Sequence, residues 1–152
     1  MAGFSAFGTK LRMKDDSTTA LSSGDEIGDL TGISGPTMSA EEIDVTSHDS
    51  TGAFREFVPS FLDPGEISLE GNLMSGGGAE DMVDAFNDRK LQNIEIIFPT
   101  TDDLKWSFNG YVTGVETDAP YDDKATFSAT IKVSGAPTLG AAAATTSTST
   151  ST

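Results

Sequence analysis

Few side chains in this sequence are of types that carry out covalent chemistry. His48-Asp49-Ser50 brings together a base, an acid and a hydroxyl, and His48 is the only histidine. A hydrolytic triad needs nucleophile, base and orienter in one line. Consecutive residues on an extended segment point in alternating directions, so these three read as a loop with local hydrogen bonds. The chain has no cysteine, which removes thiolate nucleophiles, disulfides and thiolate zinc sites together. Carboxylates alone would favour hard cations. The acid pairs Asp15-Asp16, Asp102-Asp103 and Asp122-Asp123 lack the regular spacing of a calcium loop and read as solvated turns. Ser75-Gly76-Gly77-Gly78 precedes a helix-like stretch, where a phosphate could sit on free N–H groups. The usual lysine is missing, however, and Glu80 and Asp81 would repel phosphate. The expectation is therefore a protein that is not an enzyme and has no catalytic residue, metal or cofactor.

Charge narrows the partners. The chain of 152 residues carries 24 acidic and 9 basic side chains, a formal net charge of −15. Proteins that grip nucleic acid need a basic footprint to neutralise phosphates, and anionic membranes repel an acidic surface. No run approaches the ~20 apolar residues of a membrane-crossing helix. Met1 to Lys14 lacks an apolar core flanked by positive charge, so no signal peptide is expected and a cytoplasm is the expected place of synthesis and assembly. The length matches one domain on the usual prior.

The elements that would position these residues are mostly strands. Leu11 to Lys14 fits a short strand, and Asp15 to Gly24 a loop. Ile27, Asp29, Thr31 and Ile33 fall on one face of a strand broken by Gly35-Pro36. In the next strand, Ile43 and Val45 oppose Glu42, Asp44 and Thr46. In Gly65 to Leu73, Ile67, Leu69 and Leu73 alternate with Glu66, Ser68, Glu70 and Asn72, an amphipathic strand. Ala79, Met82, Val83 and Phe86 recur at helical spacing. They predict a helix over about 79–90 that packs through Met82, Val83 and Phe86. Asn93 to Phe98 reads as a strand, followed by a long one in which Leu104, Trp106, Phe108 and Val112 share a face. Ala125, Phe127, Ala129, Ile131 and Val133 then alternate with polar residues, the cleanest two-residue period in the chain. Ala141 to Thr152 contains only Ala, Ser and Thr. The expected organisation is an antiparallel β domain over 1–135 with one helix, then a low-complexity tail over 136–152.

Segment 48–63 fits no period and is long for a hairpin connection. It nevertheless carries Phe54, Phe57, Val58, Phe61 and Leu62, with Arg55 among them. A loop this apolar is expected to bind something, and these six residues are the candidates for a contact with another subunit.

The run Ile43-Asp44-Val45-Thr46-Ser47, then Phe54-Arg55-Glu56-Phe57, then Asp63-Pro64-Gly65-Glu66-Ile67-Ser68-Leu69-Glu70-Gly71, resembles the major tail tube proteins of long-tailed bacteriophages. The resemblance covers roughly residues 25–135 in element order. It implies an antiparallel β-sandwich or barrel-like domain with one flanking helix. It further implies a structural virion protein whose hexameric rings stack into the tail tube around a tape-measure protein, assembled in the host cytoplasm. Genomic DNA would pass through the lumen without specific binding. Under that reading the polar faces of the amphipathic strands line an acidic lumen, with Glu42, Asp44, Glu66, Glu70 and Glu116 as candidates. Other tube-like assemblies, a type VI secretion tube or a tail terminator ring, are the near alternatives. A soluble binding module using 48–63 is the distant one.

Overall fold

A computed structural model of the chain describes residues 3–15 and 21–141. Its described elements are β1 (Lys10–Lys14), β2 (Glu26–Ile27), β3 (Leu30–Ser34), β4 (Ser39–Asp44), β5 (Phe57–Asp63), β6 (Glu66–Asn72), α1 (Gly78–Asp88), β7 (Gln92–Ile97), β8 (Lys105–Asp118) and β9 (Thr126–Gly140). Seven strands form one antiparallel sheet in the order β2-β1-β7-β8-β9-β6-β3, and β4 pairs with β5 in a separate ribbon. The fold is mainly β with a single described α-helix, as the alternation and the helical spacing required.

The sheet has one apolar face. Ile67 and Leu69 of β6, Phe127, Ala129, Ile131 and Val133 of β9, Phe108 and Val112 of β8, Ile94 and Ile96 of β7, and Leu11 and Met13 of β1 are all buried. Strand registers put them on that face: Ile67 lies opposite Ile131, Val112 opposite Ile131, Phe108 opposite Ile94, and Leu11 opposite Ile96. The two edge strands, β2 and β3, are consecutive in the chain with only Gly28 and Asp29 between them. The edges therefore converge at that corner and the sheet curls around its core. Asp29 takes a left-handed conformation, φ 63, one that aspartate tolerates better than most residues. It divides the single strand expected from Ile27, Asp29, Thr31 and Ile33 into β2 and β3.

The helix closes over this curl. Gly77 is its N-cap, and the Glu80 carboxylate accepts the N–H of Gly76, the residue before the cap, over 2.9 Å, tying the incoming chain to the first turn. Ala79, Met82 and Ala85 are buried against the sheet, with α1 packing on β8 and β9. Met82 is fully buried, whereas Val83 is 42% and Phe86 45% exposed. The expected packing through Met82, Val83 and Phe86 is corrected accordingly. Two alanines on either side of Met82 seat the helix closely and turn Val83 and Phe86 off the contact line. The helix also ends at Asp88, because Arg89 adopts the left-handed conformation at φ 53, a common helix terminator.

Two further expectations shift. The long loop 48–63 is not a loop throughout, since its second half is β5. Val58 lies opposite Ile43 and Phe57 opposite Asp44, with a bulge between Ala40 and Glu42. Among the described residues no sheet covers either side of this ribbon, so there is no buried face to impose an alternating pattern. Pro59 is tolerated because the ribbon interior is also its edge. β9 continues past Gly135, with Thr138 opposite Ser107, Leu139 opposite Trp106 and Gly140 opposite Lys105. The Ala/Ser/Thr segment after Ala141 lies outside the described residues.

Candidate assembly surfaces

The His48-Asp49-Ser50 segment forms a turn closed on itself. Ser50 N–H donates to the Ser47 carbonyl over 3.1 Å, and Ser50 Oγ accepts the Ser47 N–H over 3.0 Å. Asp49 N–H donates to Ser47 Oγ over 3.3 Å. The hydroxyls are committed to backbone donors, which is turn chemistry. Among the described residues no three acids or histidines converge as metal ligands would. The Asp103 backbone N–H closes a turn by donating to the Thr100 carbonyl over 3.1 Å, and the Asp123 carboxylate accepts the Lys124 N–H over 2.7 Å.

The ribbon β4–β5 is an arm. β3 pairs with β6 inside the sheet, and the same two stretches of chain pair again beyond it as β4 and β5. Together they make one long hairpin, bent at Gly35-Pro36 and at Asp63-Pro64-Gly65. The bend is fastened by Thr37 N–H to the Glu66 carbonyl at 3.3 Å and by Val133 N–H to the Gly65 carbonyl at 3.1 Å. Asp63 Oδ1 accepts the Gly65 N–H over 2.8 Å and meets Lys132 Nζ at 3.4 Å. These contacts, the Gly65 N–H first and Lys132 next, hold the Asp63 carboxyl below its usual range.

Past the bend the arm is apolar and bare. Phe61 is 84% exposed and Phe54 76%, and Phe57, Val58, Leu62, Ile43 and Val45 are also exposed. Arg55, exposed beside them, makes no ion pair among the described residues. Burying one such side chain is worth ~1.5–3 kcal/mol, and the isolated arm forgoes that at every position. A two-stranded ribbon with no third layer is marginal by itself.

A second surface is the polar face of β6, β9 and β8. Glu66 lies opposite Lys132, which lies opposite Tyr111. Glu70 lies opposite Ser128, which lies opposite Glu116. Asn72, Thr126 and Asp118 form the last row. The five acids singled out in the sequence therefore separate into two groups. Glu66, Glu70 and Glu116 share one sheet face, whereas Glu42 and Asp44 stand on the arm, opposite Pro59 and Phe57.

The third surface escaped sequence reasoning. Between the C-terminal turn of α1 and β8 lies an open cleft of about 280 Å³ lined by Phe86, Asn87, Arg89, Tyr111 and Val112. Its only advance signal was a helical stripe wider than Ala79, Met82 and Ala85 require.

The phage tail tube protein family model matches residues 33–139. That span takes in the bent hairpin, the helix and the two long strands. No curated protein matches the chain. Among solved structures, the tail of an empty GTA particle refined with C6 symmetry is 22% identical at TM-score 0.65, covering 86% of this chain and 96% of that one. The sheath–tube complex of the extracellular contractile injection system PVC is 16% identical at TM-score 0.67, covering 92% and 93%. The SPP1 tail tube is 12% identical at TM-score 0.62, covering 88% of this chain and 76% of that one. At these identities the likeness is one of fold.

Proposed function

The chain belongs to the phage tail tube protein family, and from that premise we propose that it forms stacked hexameric rings whose acidic lumen conducts genomic DNA. The protein is a structural tail tube component. The ring and conduit reading rests above all on the arm, a ribbon with large apolar groups on both sides and no third layer behind it. Such an exposed apolar surface marks an interaction site, and every copy in a polymer repeats the gain of covering it. The C6 symmetry of the similar GTA tail supports six subunits per ring.

The lumen assignment falls to Glu66, Glu70 and Glu116, with Ser128 and Thr130 between them and Lys132 opposite Glu66. Their face points away from the apolar core. In a closed ring that face meets the channel. Carboxylates there repel phosphate, and DNA gains no counterion release by resting on them. Glu42 and Asp44, on the arm, belong to subunit joints and not to the channel. A tape-measure protein filling the lumen during assembly, and assembly in the host cytoplasm before incorporation in the virion tail, complete the reading.

The test is charge reversal. Particles built with Glu70→Lys and Glu116→Lys are expected to carry normal tubes but to eject DNA slowly at low salt, where screening is weakest. Ejection at the normal rate would leave solubility as the sole role of the −15 charge. Electron microscopy of the purified protein checks the polymer directly: long tubes are expected, and a persistent monomer or isolated rings would overturn the reading.

A further inference from the structure

The arm needs a receptor, and the chain carries an exposed apolar site that the arm's own chemistry matches. On the arm, Phe57 and Asp44 are register partners in adjacent strands. Paired residues in an antiparallel ribbon project from the same side, so an aromatic ring and a carboxylate are presented together, with Glu42 two residues along on that side. The cleft at the end of α1 offers the complementary pair. Phe86, 45% exposed, and Val112 supply apolar lining, and Arg89 supplies a guanidinium beside them. Arg89 makes no ion pair among the described residues. The Asp44 carboxyl is held below its usual range by hydrogen bonds from Thr46, so it is ionised at neutral pH.

We infer that the cleft between α1 and β8 receives the β4–β5 arm of a second copy of this chain, Phe57 lying against Phe86 and Asp44 pairing with Arg89. This deepens the tube reading and rests on it. Arm and cleft are different surfaces of one chain, so the contact is head-to-tail. Where the arms are not exchanged reciprocally across a two-fold axis, such contacts generate rings or helical filaments. The inference also accounts for Phe86, which is apolar in the sequence and left 45% exposed by the chain's own packing, because a neighbour completes its cover.

Two measurements decide it. The first is charge exchange, with Asp44→Arg and Arg89→Asp made singly and together. Position 89 is left-handed, and aspartate is among the side chains that accept this, so the fold is expected to survive; an unchanged melting curve of the monomer checks that. Each single variant is expected to raise the concentration needed for tube growth about tenfold, the equivalent of ~1.4 kcal/mol, and the double variant to restore most of it. Singles that polymerise like wild type, or a double variant no better than either, overturn the inference while leaving the tube reading intact. A wild-type chain that never polymerises sinks the tube reading instead. The second measurement uses the absence of native cysteine. Phe57→Cys chains mixed with Asn87→Cys chains are expected to give an inter-chain disulfide on oxidation within the polymer, which requires Cα atoms within about 7 Å. Phe57→Cys mixed with Asp118→Cys is expected to give none. Equal cross-linking in both mixtures, or none in either, overturns the docking geometry.

Discussion

The backbone N–H of Asn72 donates to the carbonyl oxygen of Asp29 over 2.8 Å, fastening the end of β6 to the link between the two edges of the sheet. Directly beyond β6 the chain turns into the helix, and the glycines there permit very close approach. A Cβ at Gly71 would lie 2.7 Å from that same carbonyl, and one at Gly78 would lie 2.5 Å from Ile27 Cγ2 and 2.7 Å from the Gly28 carbonyl.

Gly78→Ala is therefore expected to destabilise the monomer by ~1–3 kcal/mol, the usual cost of overpacking. Gly114→Ala, where nothing lies within 4 Å, is expected to stay within about 0.5 kcal/mol. Denaturant midpoints of the two variants test this, and equal midpoints would mean the corner yields.

The helix gives a sharper contrast. Met82→Ala empties a fully buried site and is expected to cost ~2–5 kcal/mol. Phe86→Ala removes a half-exposed ring and is expected to cost the monomer less than ~1 kcal/mol while impairing polymerisation. Equal losses of monomer stability in both would place Phe86 in the core.

Where β9 ends is a matter of truncation. A chain stopped at Gly135 loses the pairing of Thr138, Leu139 and Gly140 with Ser107, Trp106 and Lys105, together with the Thr138 Oγ1 bond to the Ser107 carbonyl at 3.2 Å. A chain stopped at Ala141 keeps them. The shorter chain is expected to melt lower by ~3 °C or more, as a loss of ~1 kcal/mol implies in a domain of this size. Coincident melting curves would show those last pairs to be inconsequential.

Acid is expected to loosen the arm at its base. The carboxyl of Asp63 is depressed in the fold below its ordinary value by the Gly65 N–H first and Lys132 next. A depressed acid contributes stability that is present above the unfolded value and lost as pH falls through the folded one. The Asp63 tie thus holds at neutral pH and is lost only as pH falls through its depressed folded value, below the ordinary aspartate range. Amide exchange at Gly65 and Val133 is expected to accelerate over that acid range, and Asp63→Asn to abolish the dependence. Exchange unaffected by acid in the wild type would show that other contacts fix the bend.

Most of the sheet was legible because burial on one side imprints a period. Residues 125–133 of β9 and residues 66–70 of β6 alternate cleanly, since one side meets the core and the other does not. The arm was illegible as a strand for the same reason inverted: with both sides of β5 uncovered, Phe57, Val58, Phe61 and Leu62 follow no alternation. Asp29 was read as part of a continuous strand because a left-handed aspartate leaves no hydrophobic signal. The helix was found, but its seat was misjudged. Spacing alone cannot say whether a stripe including Val83 and Phe86 faces its own sheet or another molecule. The cleft joins residues 86–89 to 111–112 across a strand and a turn, and no local pattern announces such a pairing.

The bent hairpin has a mechanical consequence. Its distal half reaches away from the domain, while its proximal half, β3 with β6, is stitched into the sheet beside β9. If a neighbour grips the distal half and the assembled filament flexes, the pull enters β6 along its own axis. The bonds joining β6 to β3 and β9 lie across that axis, so the tug is resisted in shear by both ladders together. A pull at right angles would unzip them singly. The chain thus meets that tension with two ladders loaded together, and its own sheet is not opened one bond at a time.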